Sequence, residues 1–223
     1  MNRLGRRPPK PLGAPPQLVV MARWPAPGRC KLRLAADLGR RRAAAIQARL
    51  CRHGLSTALR AQQQGLAHGL QFELVLAVSG LGPRAARRWG AHWPPARVVA
   101  QGEGRLGTRL QRQVRRAQRE GSGAVVLIGS DLPHLAASDL LAAFEALQGR
   151  PLVLGPAVDG GYWLIGLRGS QPWLFCGSDG PIGWGGDQVL ERTRRAASRC
   201  GLDPLLLRCQ ADLDWPSDLA HWR

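Results

Sequence analysis

Five segments of this sequence carry residues whose types and spacing could do chemistry. Pro25-Ala26-Pro27-Gly28-Arg29-Cys30-Lys31-Leu32-Arg33 sets two cations behind a proline-stiffened loop. The ammonium of Lys31 and the guanidinium fork of Arg33 together suit a diphosphate, and Gly28 allows backbone to approach a ligand. No P-loop is present, because Gly-Lys-Ser/Thr is absent; a surface turn with scattered cations is the plain alternative. Gln101-Gly102-Glu103-Gly104-Arg105-Leu106-Gly107 combines three glycines with a side chain able to donate to and accept from a base edge. Gly129-Ser130-Asp131-Leu132-Pro133 places Asp131 directly after an apolar run. That is a good position for a ligand to Mg2+ or Mn2+, hard ions held by one or two carboxylates and phosphate oxygens. Asp131 could instead cap the following helix, but Ser138 is better placed for that. Asp159-Gly160-Gly161-Tyr162 reads either as a hairpin turn or as backbone and a carboxylate held beside an acceptor. Asp212-Leu213-Asp214-Trp215-Pro216 is a second acidic strand end, with helix-start chemistry as its alternative. Asp214 is the expected second metal ligand. Asp212, two residues away on an extended segment, would share its face and stays open as the ligand.

Strands alternating with helices must position these loops. Leu18 to Met21, Phe72 to Val78, Arg97 to Ala100, Ala124 to Ile128, Leu152 to Leu154, Tyr162 to Leu167 and Leu205 to Leu207 read as strands. Between them, Ile46, Leu50, Leu55 and Leu59 step along one helix face. Leu106, Leu110, Val114 and Ala117 step along another, opposite arginines. Further helices are expected over 84–89, behind Ser138, and over 188–197. This order predicts an open α/β sheet covered on both faces, with ligands beyond the carboxyl ends of the strands.

Composition bounds the rest. The chain has 223 residues, 32 basic against 15 acidic, and a net charge of +17. Lys10 and Lys31 are its only lysines. The arginines are spread along helices, and no RNA-binding aromatic motif, zinc finger or basic zipper accompanies them. The charge therefore reads as solvated helix faces with a general preference for anions, not as a nucleic-acid interface. Five cysteines make no C-x-x-C pair, which speaks against a disulfide framework or a zinc cage and for a cytoplasmic protein. No apolar run reaches the length of a membrane span. Residues 1–16, with four cations and five prolines, are expected to be a disordered basic tail before one domain, 17–223.

Together MARWPAPGRCKLRL (21–34), QGEGRLGTRL (101–110), LIGSDLPHL (127–135), LGPAVDGGYWLIGL (154–167) and DLDWPSDL (212–219) resemble the GT-A-like radical-SAM/selenodomain-associated transferases. More distantly they resemble the cofactor guanylyltransferases. The resemblance implies a GT-A-like nucleotide-diphospho-sugar transferase fold, with a mainly parallel mixed sheet and helices on both faces. It implies a metal-dependent transferase using a nucleotide-activated donor, by glycosyl transfer from a nucleotide sugar. The alternatives are a nucleotidyltransferase acting on a phosphorylated small molecule, and an inactive nucleotide or nucleic-acid binder. By carry-over, Lys31, Arg33 and Gly28 face the phosphates, and Gln101 with Gly107 the base. Asp131 and Asp214 hold Mg2+ or Mn2+, Asp131 and Asp159 are catalytic, and Gly160, Gly161 and Tyr162 lie on the acceptor side. The family usually has Thr where this chain has Leu32, and often an acid at Arg105.

Overall fold

The computed structural model describes residues 13–169, 171–175 and 182–222. Most of the proposed tail thus lies outside the described residues; its last four lead into the sheet, where Pro16 accepts a backbone hydrogen bond from Glu73 at 2.8 Å.

Seven strands form one sheet: β1 (Gln17–Arg23), β2 (Glu73–Ser79), β3 (Arg97–Ala100), β4 (Ala124–Gly129), β5 (Leu152–Pro156), β6 (Tyr162–Arg168) and β7 (Leu205–Leu206). Their order is β3-β2-β1-β4-β6-β5-β7. Every strand pair is parallel except those made by β6, which runs against both β4 and β5. The sheet is therefore mainly parallel and mixed, as expected. The near-continuous apolar runs of β1 and β4 sit at its centre because both of their faces are covered.

One face carries α2 (Arg40–Ala67), α3 (Pro83–Gly90) and α5 (Ala137–Gly149), packed on Leu18, Val20, Leu74, Leu76, Val126 and Ile128. The other carries α4 (Leu106–Arg119) and α6 (Val189–Arg199), packed on Val19, Met21, Val75, Val125 and Leu127. Alternation of residues along each strand separates these two cores. The region between β1 and β2 also holds α1 (Leu32–Leu38), split from α2 at Gly39, whose φ is +81°. That positive-φ turn separates α2, which carries the expected face of Ile46, Leu50, Leu55 and Leu59, from α1, a short helix the sequence reading did not include.

The start of α5 corrects the expected cap. Ser138 lies inside the helix, and the N-cap is Ala136. The carboxylate of Asp139, three residues on, accepts the Ala136 N–H at 2.8 Å. Asp139 is buried and also accepts from Arg208 and from Gln210 Nε2. Burial alone would raise its pKa; the Arg208 guanidinium outweighs that and holds it below the usual carboxylate range. Ser138→Ala should therefore leave stability within about 0.5 kcal/mol of wild type. Asp139→Ala should cost roughly 1–3 kcal/mol, because it removes a helix cap and a buried acceptor of Gln210, while the half-exposed Arg208 guanidinium turns to water. Denaturant unfolding of the two variants checks this; equal losses would restore Ser138 as the cap.

Candidate active site

The strand order places β1 beside β4 at the middle of the sheet, and a crevice opens beyond their carboxyl ends. The loop leaving β1 is pinned by bonds from Trp24 N to Ser79 O at 2.9 Å and Arg29 N to Ala26 O at 3.0 Å. Gly28 takes φ +74° in this turn, and a Cβ there would crowd the Arg40 side chain. Gly28 thus shapes the loop; it is absent from the cavity wall that Lys31 and Arg33 line.

Lys31 ends the loop in a left-handed conformation, φ 46° and ψ 53°, the one such non-glycine residue among those described. A conformation costing of order 1–3 kcal/mol persists only where the surroundings over-determine it. Here they do. The ammonium, its side chain 2% exposed, lies 2.9 Å from Asp131 Oδ2 and 2.9 Å from Asp214 Oδ1, and donates to the Leu213 carbonyl at 2.6 Å. Burial alone would lower its pKa, but the two carboxylates outweigh burial and raise it. The cation therefore stands between the two aspartates expected to share a metal.

Asp131 is no helix cap, since α5 begins six residues later. Its Oδ1 accepts from Gln47 Nε2 at 3.1 Å and from Ser130 Oγ at 3.2 Å. Its backbone carbonyl accepts from Leu213 N at 3.0 Å, tying β4's exit to the Asp212–Asp214 segment. Asp214 is held by Arg33 Nη1 at 3.0 Å, and its backbone N–H donates to Asp218 Oδ2 at 2.9 Å. Asp218, not Asp214, does the helix-start chemistry. Arg33 also lies over the Trp215 ring, 5.2 Å from its centroid.

Two cavities meet at Asp131. The larger, about 430 Å³, is walled by Arg23, Lys31, Arg33 and Arg109, with Gln101, Gln47, Ser130 and Asp214. The smaller, about 240 Å³, holds Asp159, Asp212, Tyr162, Trp163 and Trp184. Asp212 and Asp214 thus line different cavities, contrary to the shared face expected of them, because that segment is irregular and not an extended strand. Burial, then Asp214 and Asp159, push the Asp212 carboxyl up to about 6.

Several expected roles change in the structure. The Gln101 amide donates to the carbonyls of Ala22 and Ala77 at 3.1 and 3.0 Å, so its donors serve the sheet and its carbonyl oxygen alone is left for a ligand. Gly107 meets Trp184: a Cβ would fall 2.3 Å from its indole nitrogen. Gly107 therefore seats Trp184 against α4 and lies outside the wall of the larger cavity. Asp159-Gly160-Gly161 is a hairpin turn, with Asp159 Oδ1 accepting the Gly161 N–H at 2.9 Å. The turn also presents Asp159 and Gly161 to the smaller cavity, so the two readings are compatible. Gly160, at φ +84°, has the Asp187 carbonyl 1.9 Å from where a Cβ would sit, and supports the turn from behind. The Tyr162 ring faces the smaller cavity, 6.1 Å from Trp184 and edge to face. Its wholly buried hydroxyl has its pKa raised by that burial.

Sequence reasoning missed Gln47 and Arg109. Gln47 is a buried polar residue in line with Ala43, Ala44, Leu50 and Cys51 on α2; a polar side chain on an apolar stripe was its signal. Arg109 read as a solvated helix face, yet it folds back to the Gly104 carbonyl at 2.8 Å and walls the larger cavity.

The sheet order, the reversed β6 and the loops at the β1 and β4 exits define the GT-A-like nucleotide-diphospho-sugar transferase fold. The chain belongs to the family described as uncharacterized protein conserved in bacteria (DUF2064), whose model matches residues 62–180. It is similar to a candidate nucleotide-diphospho-sugar transferase from Desulfovibrio desulfuricans G20, at 30% identity and TM-score 0.75, over 92% of this chain and 85% of that one. It shares its fold with 4-diphosphocytidyl-2C-methyl-D-erythritol synthase from Anaerococcus prevotii DSM 20548, at 10% identity and TM-score 0.59, over 94% and 96% of the two chains. It does so too with glucosyl-3-phosphoglycerate synthase from Mycobacterium tuberculosis, in complex with Mn2+, UDP and glucosyl-3-phosphoglycerate, at 15% identity and TM-score 0.54, over 94% and 75%. No curated protein matches by sequence. Among the described residues, no helix is long and apolar enough to cross a membrane.

Proposed function

We propose that this chain is a transferase that moves a glycosyl group from a nucleotide sugar to a small-molecule acceptor. One observation carries the reading: a cavity walled by four cations adjoins a cavity walled by carboxylates and aromatic rings, and Asp131 lines both. The donor diphosphate fits the cation-walled side, where Lys31, Arg33, Arg23 and Arg109 offset its charge. The acceptor fits the other side. As its hydroxyl oxygen bonds to the anomeric carbon, the bond from that carbon to the diphosphate oxygen breaks. The hydroxyl proton passes to a carboxylate, and the nucleoside diphosphate leaves. Asp159 suits the proton-accepting role, because one backbone N–H holds its Oδ1 and Oδ2 has no protein partner among the described residues.

The Lys31 ammonium stands between Asp131 and Asp214, and Gln47, Ser130 and Arg33 hold their other carboxylate oxygens, so Mg2+ or Mn2+ would enter only with the donor, taking the place of some of these contacts. Among the described residues no group of three or more His, Cys, Asp or Glu could hold a metal, so the remaining ligands must be phosphate oxygens and water. When bound, such an ion adds positive charge at the leaving phosphate. The solved Mn2+ and UDP complex on the same fold supports this choice. The described cysteines Cys30, Cys51, Cys200 and Cys209 are free thiols, which suits a cytoplasmic home.

Calorimetry with nucleoside diphosphates and nucleotide sugars, with and without Mn2+, tests the reading. At least one nucleotide should bind, and at about 100 times its Kd it should stabilise the fold by about 2.7 kcal/mol. Turnover should release nucleoside diphosphate. Release of pyrophosphate from a triphosphate would indicate nucleotidyl transfer instead, and no nucleotide binding at all would refute both.

A further inference from the structure

The two cavities differ in charge as well as position. The larger gathers four cations. The smaller has Asp131, Asp159 and Asp212 in its wall and, among the described residues, no lysine, arginine or histidine. That segregation runs against the composition, because basic residues outnumber acidic ones by 32 to 15 in this chain. The wall offers carboxylate acceptors and, among the described residues, no group to match an anion. The rest of the wall is apolar and aromatic, with Tyr162, Trp163 and Trp184. Trp163 is fixed there by its indole N–H, which donates to the Arg208 carbonyl at 3.1 Å. The Tyr162 hydroxyl is fully buried beside Thr193.

We propose that this cavity selects an acceptor bearing hydroxyl or amino groups and no phosphate or carboxylate. The inference rests on the transferase reading above and specifies its acceptor class. Hydroxyl and ammonium groups donate hydrogen bonds to the Asp159 and Asp212 carboxylates. The C–H face of a ring-shaped polyol packs on the aromatic side chains. Asp131 is paired with Lys31, but a phosphate or carboxylate would still meet the Asp159 and Asp212 carboxylates with no cation in the wall among the described residues, so the same wall disfavours it. The charge segregation also separates the substrates: the anionic donor has one favourable side of Asp131 and the uncharged or cationic acceptor the other.

The test uses the full chain with Mn2+ and either UDP-glucose or GDP-mannose. The acceptor pool is a bacterial small-molecule extract, split on an anion exchanger into unretained and retained fractions. Mass spectrometry then follows glycosylated products. The unretained fraction, neutral and cationic, should yield product at least about tenfold faster than the retained one. In an Asp212→Asn variant, which keeps side-chain shape and leaves the proton acceptor Asp159 in place, that preference should narrow. Product formed mainly from the retained fraction would overturn the acceptor assignment while leaving the transferase reading intact. If neither fraction yields product while a nucleotide binds, transfer itself is refuted and this assignment falls with it.

Discussion

Replacing Lys31 with Met should abolish most nucleotide affinity and destabilise the fold together. The ammonium is buried between Asp131 and Asp214 and has three acceptors within 2.9 Å. Without it, two carboxylates face each other beside a hydrophobic stem. Breaking a buried ion pair costs roughly 3–5 kcal/mol. Here the carboxylate side chains are 40% and 31% exposed, so water softens the loss, and about 2–3 kcal/mol is expected. All three N–H bonds of the ammonium are taken by protein acceptors, so Lys31 acts on a phosphate through its charge and by holding Asp131 and Asp214 in place; its loss should weaken nucleotide binding by roughly tenfold. Lys31→Gly separates the two effects. Glycine relieves the left-handed backbone by about 1 kcal/mol, so this variant should be more stable than Lys31→Met yet equally deficient in nucleotide binding. The pH dependence has a definite sign. The folded-state pKa of Lys31 is raised above 10.5, so its contribution is complete at neutral pH and is lost only as the pH rises beyond that value. Melting curves of wild type and Lys31→Met should therefore converge only in strong alkali. Convergence near neutrality, or unchanged nucleotide affinity in both variants, would contradict the role given to Lys31.

Asp131→Asn should be the most damaging shape-conserving change to activity. Asparagine can still accept from Gln47 and Ser130, but it turns an N–H2 or a neutral oxygen toward the Lys31 ammonium in place of a carboxylate. A rise in stability, which two repelling aspartates alone would suggest, is therefore not expected; a loss of about 1–2 kcal/mol is. Turnover should fall by roughly a hundredfold or more, because Asp131 lines both cavities and anchors the cation at the donor phosphate. Any stabilisation by nucleotide that depends on Mn2+ should vanish. Full Mn2+-dependent stabilisation in Asp131→Asn would leave this residue a purely structural anchor for Gln47 and Lys31.

The strands were legible because a doubly covered parallel sheet demands continuous apolar runs, and Ala124–Gly129 can be little else. The loops at their exits were legible for a related reason: unusual residues directly after such a run must lie at the ligand edge. Pairings across the crevice were not legible. Nothing local to Lys31 signals that it adopts φ 46° or that its partners are 100 and 183 residues away. The separation of Asp212 from Asp214 depends on a segment that forms no strand, where the alternation rule does not operate. The glycines misled in another way. Gly28 and Gly107 read as ligand contacts, but a glycine is needed equally where an Arg40 stem or a Trp184 indole packs close. Gln101 lines the larger cavity, yet only the carbonyls of Ala22 and Ala77 show where its amide donors go.

The most direct test of the account is a crystal structure of the chain with a nucleoside diphosphate and Mn2+. The diphosphate is expected in the cation-walled cavity, within hydrogen-bonding reach of Arg33 and Arg109, with any ion held by phosphate oxygens and a carboxylate of Asp131 or Asp214, and the cavity of Asp159 and Asp212 free of phosphate. A diphosphate seated instead among Asp159, Asp212 and Trp184, or bound away from both cavities, would contradict it.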